Sequence, residues 1–229
     1  MTGPQRGIAP HRESDRGDLA AFVARAGRVD ESGVVRLHQR PDDRVGLWVR
    51  TGFDVLATRS IFGTVEPSDV IGDLTVLASS LAAADAIVQV GNPPTIAWQG
   101  ALPGANGYIH VDDVPARAIV DLARRGLGVA RDESGALGPA SSLLDQKVLS
   151  VTGGDDTVDV TMRAVFALTS MGFVRDAAGH EITADSSLDA IAADEPVRVR
   201  ASAAWVRLDA RFGSVYQRRT ALSLNVGAP

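Results

Sequence analysis

The sequence predicts an α+β protein in which antiparallel strands pack with helices, arranged as two helix-plus-meander units. Three observations lead to that class. The tripeptide Trp-Val-Arg occurs twice, at Trp48-Val49-Arg50 and Trp205-Val206-Arg207. Each copy follows a helix-like stretch carrying Phe22 or Phe166 and a glycine-bearing segment, Gly27-Arg28-Val29-Asp30 or Gly172-Phe173-Val174-Arg175-Asp176. Each then leads into a similar set, Phe53, Val55 and Arg59 or Phe212, Val215 and Arg218, as one repeated supersecondary unit would. Matched punctuation also arises without common descent, because any helix needs a terminal glycine and any hairpin a polar turn.

The expected organisation is a flexible tail over 1–16, an N-terminal α+β unit over 17–100, a helix and linker over 101–142, and a C-terminal α+β unit over 143–229. From Asp18, the residues Leu19, Phe22, Val23 and Ala26 repeat along one helical face, and Gly27 is the expected stop. Val34 to Leu37 reads as a strand. Arg44 to Arg50 alternates, with Val45, Leu47 and Val49 on one side and Arg44, Trp48 and Arg50 on the other. Gly52 permits a turn into a further strand over 53–57. Leu74, Leu77, Ala78 and Leu81 predict a second helix from Ser68 or Asp73 onward, and Asp73 can cap its first turn. Asp112-Asp113-Val114-Pro115 has the grammar of a helix start, with Arg124-Arg125-Gly126 as its end. Asp132-Glu133-Ser134-Gly135 and the stretch to Ser142 read as turn and linker. Residues 143–151 fit helix or strand equally. Thr161 to Met171 predicts a helix closed by Gly172, residues 176–195 read as irregular, and alternating strands occupy the remainder from Pro196.

Composition narrows the chemistry. A chain of 229 residues can bury roughly 70% of the surface its unfolded form exposes, so its stability needs no covalent staples. With no cysteine, disulfides, thiolate metal sites and a cysteine nucleophile are excluded. Residues 1–7 lack the apolar core of a secretory signal, and the apolar run over 74–84 is too short to span a bilayer. A cytoplasmic protein that does not enter the membrane is therefore expected, and no cofactor or metal is called for by any motif.

Strand parity supplies the candidate site. In both units Trp and Arg share the face opposite the aliphatic residues: Trp48 with Arg50, and Trp205 with Arg207. Tryptophan beside guanidinium groups can stack planar ligands while arginine meets phosphate or carboxylate. Residues 197–219 hold six arginines against Asp209, a local charge of +5 in a chain of net −5, so the rest carries −10. Trp48, Arg50, Arg198, Arg200, Trp205 and Arg207 are accordingly the candidate ligand-binding residues. If another element or subunit covers that face, it becomes an assembly contact instead, since tryptophan is highly buried on average.

Two other readings compete. Residues 143–151 and 159–171 followed by the Arg198–Arg207 hairpin resemble a winged helix, although the helix offers only Arg163 to base edges. His110, with Asp112 or Asp113 and with Arg117 one turn on, is the one compact group with enzyme-like chemistry. Asp155-Asp156-Thr157-Val158-Asp159 lacks the Gly and Glu of a calcium loop, and there is no HExxH, phosphate loop or nucleophile elbow.

The segments Leu143-Leu144-Asp145-Gln146, Ser170-Met171-Gly172-Phe173 and Trp205-Val206-Arg207-Leu208-Asp209 resemble an uncharacterised family of conserved hypothetical proteins from GC-rich bacteria. The resemblance spans most of the chain and implies no activity, cofactor or catalytic residue. The function expected is a non-enzymatic binding or assembly role through the Trp/Arg faces, by self-association or with a protein partner. The alternatives are a nucleic-acid-binding regulator and a cofactor-free enzyme centred on His110.

Overall fold

Two β-meanders joined edge to edge organise the molecule. The computed structural model describes residues 6–29, 33–83, 85–93, 97–133, 141–154 and 156–219. The first meander is β2 (Val34–Gln39), β3 (Arg44–Arg50) and β4 (Leu56–Glu66); it follows strand β1 (Gly7–Pro10) and helix α1 (Glu13–Val29). Then come β5 (Asp69–Asp73), helix α2 (Leu74–Ala82) and β6 (Val88–Gln89), and, beyond a connecting segment, β7 (Ile109–Pro115) and helix α3 (Ala116–Glu133). A one-turn helix α4 (Ser141–Leu144) and the hairpin β8 (Lys147–Gly153) and β9 (Asp156–Thr161) lead into helix α5 (Met162–Ser170). The second meander, β10 (Pro196–Ala201), β11 (Trp205–Ala210) and β12 (Gly213–Arg218), closes the described chain.

The main path of the sheet runs β5-β2-β3-β4-β12-β11-β10-β7, with β1 and β6 attached at the far end of β4. Every pairing is antiparallel. The order is palindromic in form: helix, then three strands, on either side of the β4–β12 contact. The two units therefore adopt like strand orders, as the repeated Trp-Val-Arg leads one to expect. Their copies fall symmetrically about that contact, because Arg50 pairs with Leu56, Leu56 with Tyr216, and Tyr216 with Arg207.

Alternation decides which side is core. Val45, Leu47 and Val49 of β3 are fully buried, as are Val197 and Val199 of β10 and Val215 of β12. They meet Leu19, Phe22, Val23 and Ala26 of α1 and Val165, Phe166 and Leu168 of α5 in one continuous core. Each such side chain contributes roughly 1.5–3 kcal/mol on burial. The opposite face carries the Trp and Arg residues. Among the described residues no helix is long and apolar enough to cross a membrane.

Several elements depart from the sequence expectation. Gly7–Pro10, expected in a flexible tail, is strand β1, and α1 begins at Glu13 rather than near Asp18 and runs past Gly27. Residues 51–55 form a turn, with Asp54 at φ 59°, and the strand begins only at Leu56. Asp112 and Asp113 lie in β7 instead of capping a helix; the strand runs through Pro115, whose pairing with Pro196 continues the β10 ladder. Asp73 does cap α2, accepting hydrogen bonds from the backbone N–H groups of Thr75 and Val76 at 2.7 and 3.1 Å. Gly126 does not end α3. A Cβ there would sit 2.6 Å from the Met162 methyl, so this glycine is what lets α3 lie close on α5. The winged-helix arrangement is not formed, since residues 147–153 are strand β8 and α5 is a buried core helix. Residues 176–195, read as irregular, are tied down by arginine. Arg117 donates to Ile191 O at 2.5 Å, and Arg124 to Thr183 O and Ser186 O at 2.8 and 2.6 Å. Ser134, Gly135 and most of the expected linker, Asp30, Asp155 and the first five residues lie outside the described residues.

The two units are also joined beneath the sheet. Arg25 of α1, 5% exposed, donates to Met171 O at the end of α5 at 2.9 Å and pairs with Glu181. A cation at a helix C-terminus satisfies free carbonyls and meets the negative end of the helix dipole. Gly172 follows at φ 62°, where a Cβ would overlap the Arg25 guanidinium. Gly172→Ala is therefore expected to cost more than about 2 kcal/mol in urea unfolding, through left-handed strain plus displacement of Arg25. Gly17→Ala, in open space on α1, is expected to be neutral or to stabilise by up to about 1 kcal/mol.

Candidate binding surface on the outer sheet face

The outer face is read directly from the register. One row crosses all eight strands of the main path as Ile71, Arg36, Trp48, Thr58, Ser214, Asp209, Arg198 and Asp113. The next runs Arg50, Leu56, Tyr216, Arg207, Arg200 and His110. Paired residues on neighbouring strands share a face and lie about 5 Å apart. The rows thus bring together all six candidate residues, with Trp205 beside Arg218 at the seam.

At the centre is an aromatic cluster. Trp48, Leu56 and Tyr216 are buried, and Trp98, Leu102, Tyr108 and Trp205 pack against them partly exposed. The Tyr216 ring lies 5.2 Å from Trp48, 5.9 Å from Tyr108 and 6.4 Å from Trp205, the last two edge to face. Such pairs are worth about 0.5–1.5 kcal/mol each beyond burial. Trp98, Leu102 and Tyr108 belong to the connecting segment between β6 and β7, which crosses this half of the sheet. Trp48 is consequently covered, at 9% exposure, while Trp205 stays half-exposed.

The arginines divide by partner. Arg50 pairs with Asp54 at 2.9 Å and donates to Gln99 O at 3.2 Å. Arg207 donates to Asp209 at 2.5 Å and stacks 5.3 Å from the Tyr216 centroid and 5.8 Å from that of Tyr108. Arg200 shares Asp209 at 3.5 Å, and Ser214 also donates to that carboxylate. Arg198 is exposed. Arg218 lies over Trp205 at 4.6 Å. At the other end of the sheet Arg36 makes a fork to Asp69 at 2.8 and 2.6 Å, which holds the Asp69 carboxyl below its ordinary range.

Where the seam ends, a cavity of about 260 Å³ opens between the units. Its walls include Arg50, Trp98, Trp205, Arg163 and Arg218, with Gln217 at the base. Arg163 is committed to Asp145 at 2.7 Å and Phe53 O at 3.2 Å. Gln217 accepts from Thr161 N–H at 3.0 Å and donates to Asp159 O at 3.3 Å, which ties β9 to β12. Trp98 borders two further clefts, of about 350 and 150 Å³, beside Arg36 and Arg50.

Trp98, Tyr108, Tyr216 and Arg218 are not among the binding residues that strand parity predicts. A tryptophan in a Gly- and Pro-rich connection, in a chain with only 5% aromatic residues, was the available signal for Trp98. His110 and Asp113 do meet, at 2.8 Å, on the outer face. Arg117 is taken up elsewhere by Ile191 O and Asp189, so the enzyme-like group is not assembled. Among the described residues no group of three or more His, Asp or Glu side chains could hold a metal ion.

This is the fold of DNA sliding clamps. The chain is similar to the DNA polymerase sliding clamp of Bacillus subtilis, with 10% identity and a TM-score of 0.54 over 94% of this chain and 64% of that one. It is likewise similar to the polymerase III β subunit of Caulobacter crescentus, with 10% identity and a TM-score of 0.52 over 93% and 65%. The chain thus spans slightly under two thirds of these clamps, and at such identity the likeness is one of fold alone. No curated protein matches the chain in sequence. Residues 103–222, more than half of the chain, match the family described as Domain of unknown function (DUF8185), and the chain belongs to that family. Residues 3–100 match a second, Domain of unknown function (DUF8010).

Burial in the cluster pushes the Tyr216 hydroxyl up to about 12, and that of Tyr108 in the same direction despite its hydrogen bond with Ser202. These are the only two tyrosines. Absorbance titration of the folded protein should therefore show no tyrosine ionising with the ordinary midpoint near 10. Because the unfolded state loses the Tyr216 proton first, its contribution is intact below about pH 10. It falls by up to ~2–3 kcal/mol as pH rises towards 12. A midpoint near 10 for both residues in the native protein would contradict the buried cluster.

Proposed function

We propose that this is a non-enzymatic, DNA-associated assembly protein of the cytoplasm, which engages its partner through the outer sheet face. The observation that carries the reading is the arginine-rich half of that face: Arg218 lies over Trp205, Arg200 and Arg207 share Asp209, and Arg198 follows in the same rows of the sheet. The chain is acidic overall, so this local excess of cation is set apart from the rest of the surface. The similarity to proteins described as DNA polymerase sliding clamps supports association with DNA.

The test is fluorescence anisotropy with labelled single- and double-stranded DNA at about 50 and 200 mM salt. Native protein is compared with the Arg198→Ala, Arg200→Ala, Arg207→Ala triple variant. Binding should weaken steeply with salt and fall at least tenfold in the variant, because each phosphate contact releases counterions. Equal binding by the variant, or none by native protein at low salt, rejects the reading.

A second reading, self-association, is favoured by the exposed apolar residue at the β7 end of the main strand path, where Ile109 is 49% exposed. Among the described residues β10 is the only strand paired with β7, whereas the outer edge of β5 is already met by Val90 O, which accepts from Asp73 N–H at 2.8 Å, and by Arg6, which donates to Ile71 O at 3.0 Å. Edge strands of this kind can pair with a second copy. Light scattering should then give a multiple of the chain mass, and Ile109→Lys should reduce it to a monomer.

A further inference from the structure

We infer that the cavity between the units is a single-nucleotide subsite for a single-stranded nucleic acid. One base would stack between Trp98 and Trp205, and its phosphate would be held by Arg218. This rests on the nucleic-acid association proposed above and specifies where and how it occurs. The first argument is size: about 260 Å³ is below the usual range for drug-sized ligands and suits one planar ring with an anionic group.

The second argument is the state of the cations. Arg50 and Arg163 are already neutralised by Asp54 and Asp145, at 2.9 and 2.7 Å. Arg218 is exposed, lies 4.6 Å from the Trp205 centroid, and has no carboxylate partner among the described residues. A guanidinium above an indole at the mouth of a cleft offers a stacking platform and an anion contact together.

The third argument is continuity. From Arg218 the outer face continues to Arg207, Arg200 and Arg198 through adjacent register positions. Neighbouring strands lie about 5 Å apart and same-face residues along a strand about 7 Å apart. Cations so spaced can follow a backbone leaving the cavity, four arginines against the carboxylates of Asp209 and of Asp113 beside Arg198. A lone phosphorylated small molecule would leave that row unused, and a duplex would have to unpair and extrude a base before the cavity could take it, which a single strand need not do.

The experiment titrates a labelled eight-residue deoxythymidine oligomer into the full chain, reading anisotropy and intrinsic tryptophan fluorescence. Native protein should bind with quenching. Trp205→Ala should weaken binding about tenfold or more, as base stacking on an aromatic side chain commonly does. Arg218→Ala should weaken it and lower the salt slope by about one. Arg218 is exposed, so its variant remains informative if Trp205→Ala fails to fold, which circular dichroism would reveal. Native protein that binds no nucleic acid overturns the association and this subsite together. Native binding that both folded variants retain in full leaves the association standing and rejects the subsite. Equal displacement of the oligomer by free thymidine monophosphate or by a glutamate peptide of matched charge also rejects it, because the row of cations would then play no part in selecting a strand.

Discussion

The β4–β12 seam is the contact on which the architecture depends. Only three register pairs, Thr58 with Ser214, Ala57 with Val215 and Leu56 with Tyr216, join the meanders through backbone. So few ladder bonds cannot by themselves fix the relation of two units, since each contributes a net ~1 kcal/mol. Side chains reinforce the seam on both faces. Above it, Tyr216 contacts Trp48 of the first unit and Trp205 of its own. Below it, Phe53 and Phe166 lie 5.7 Å apart, and Arg25 reaches from α1 to the last turn of α5. The buried guanidinium is tolerable because it replaces hydration with Met171 O and the Glu181 carboxylate.

The seam also explains which parts of the fold the sequence revealed. Period-two alternation is a local signal, and it placed β3 and the core-facing Val45, Leu47 and Val49 correctly. The duplication of Trp-Val-Arg was legible because two units under the same packing demand keep similar residues at symmetric places. Gly126 was misleading for a physical reason: glycine ends helices by adopting a left-handed turn, but it also admits a close neighbour, and only the neighbour distinguishes the uses. Met162 lies 36 positions away in sequence. Asp112 and Asp113 misled similarly, since a strand paired with β10 overrides a local capping preference.

The candidate site was half legible. Parity assigned Trp48, Arg50, Trp205 and Arg207 to one face, because alternation needs no tertiary knowledge. It could not tell that Trp48 would be buried and Trp205 left partly exposed. That difference comes from residues 97–108, which belong to neither meander and whose path follows no local period. Tyr216 and Arg218 became visible as members of the site only through the pairing of β12 with β4 and β11, which is a long-range fact.

The same crossing segment turns a repeated motif into two unlike surfaces. Trp98, Leu102 and Tyr108 pack on the cluster of Trp48, Leu56 and Tyr216, in which the Trp48 indole is buried. The equivalent copy is covered less, Trp205 remaining partly exposed while Tyr108 reaches its neighbour Arg207, and its partner across the strand pair is Arg218, where Trp48 faces Thr58. An indole beside a threonine under an aromatic lid stabilises the fold; an indole under a guanidinium at a cleft presents a charged, planar platform to solvent. Trp98 belongs to both settings, packing on the covered cluster with one side and lining the cavity with the other. The lid over one unit is therefore also a wall of the site beside the other, and a ligand entering the cavity would press on the segment that seals Trp48.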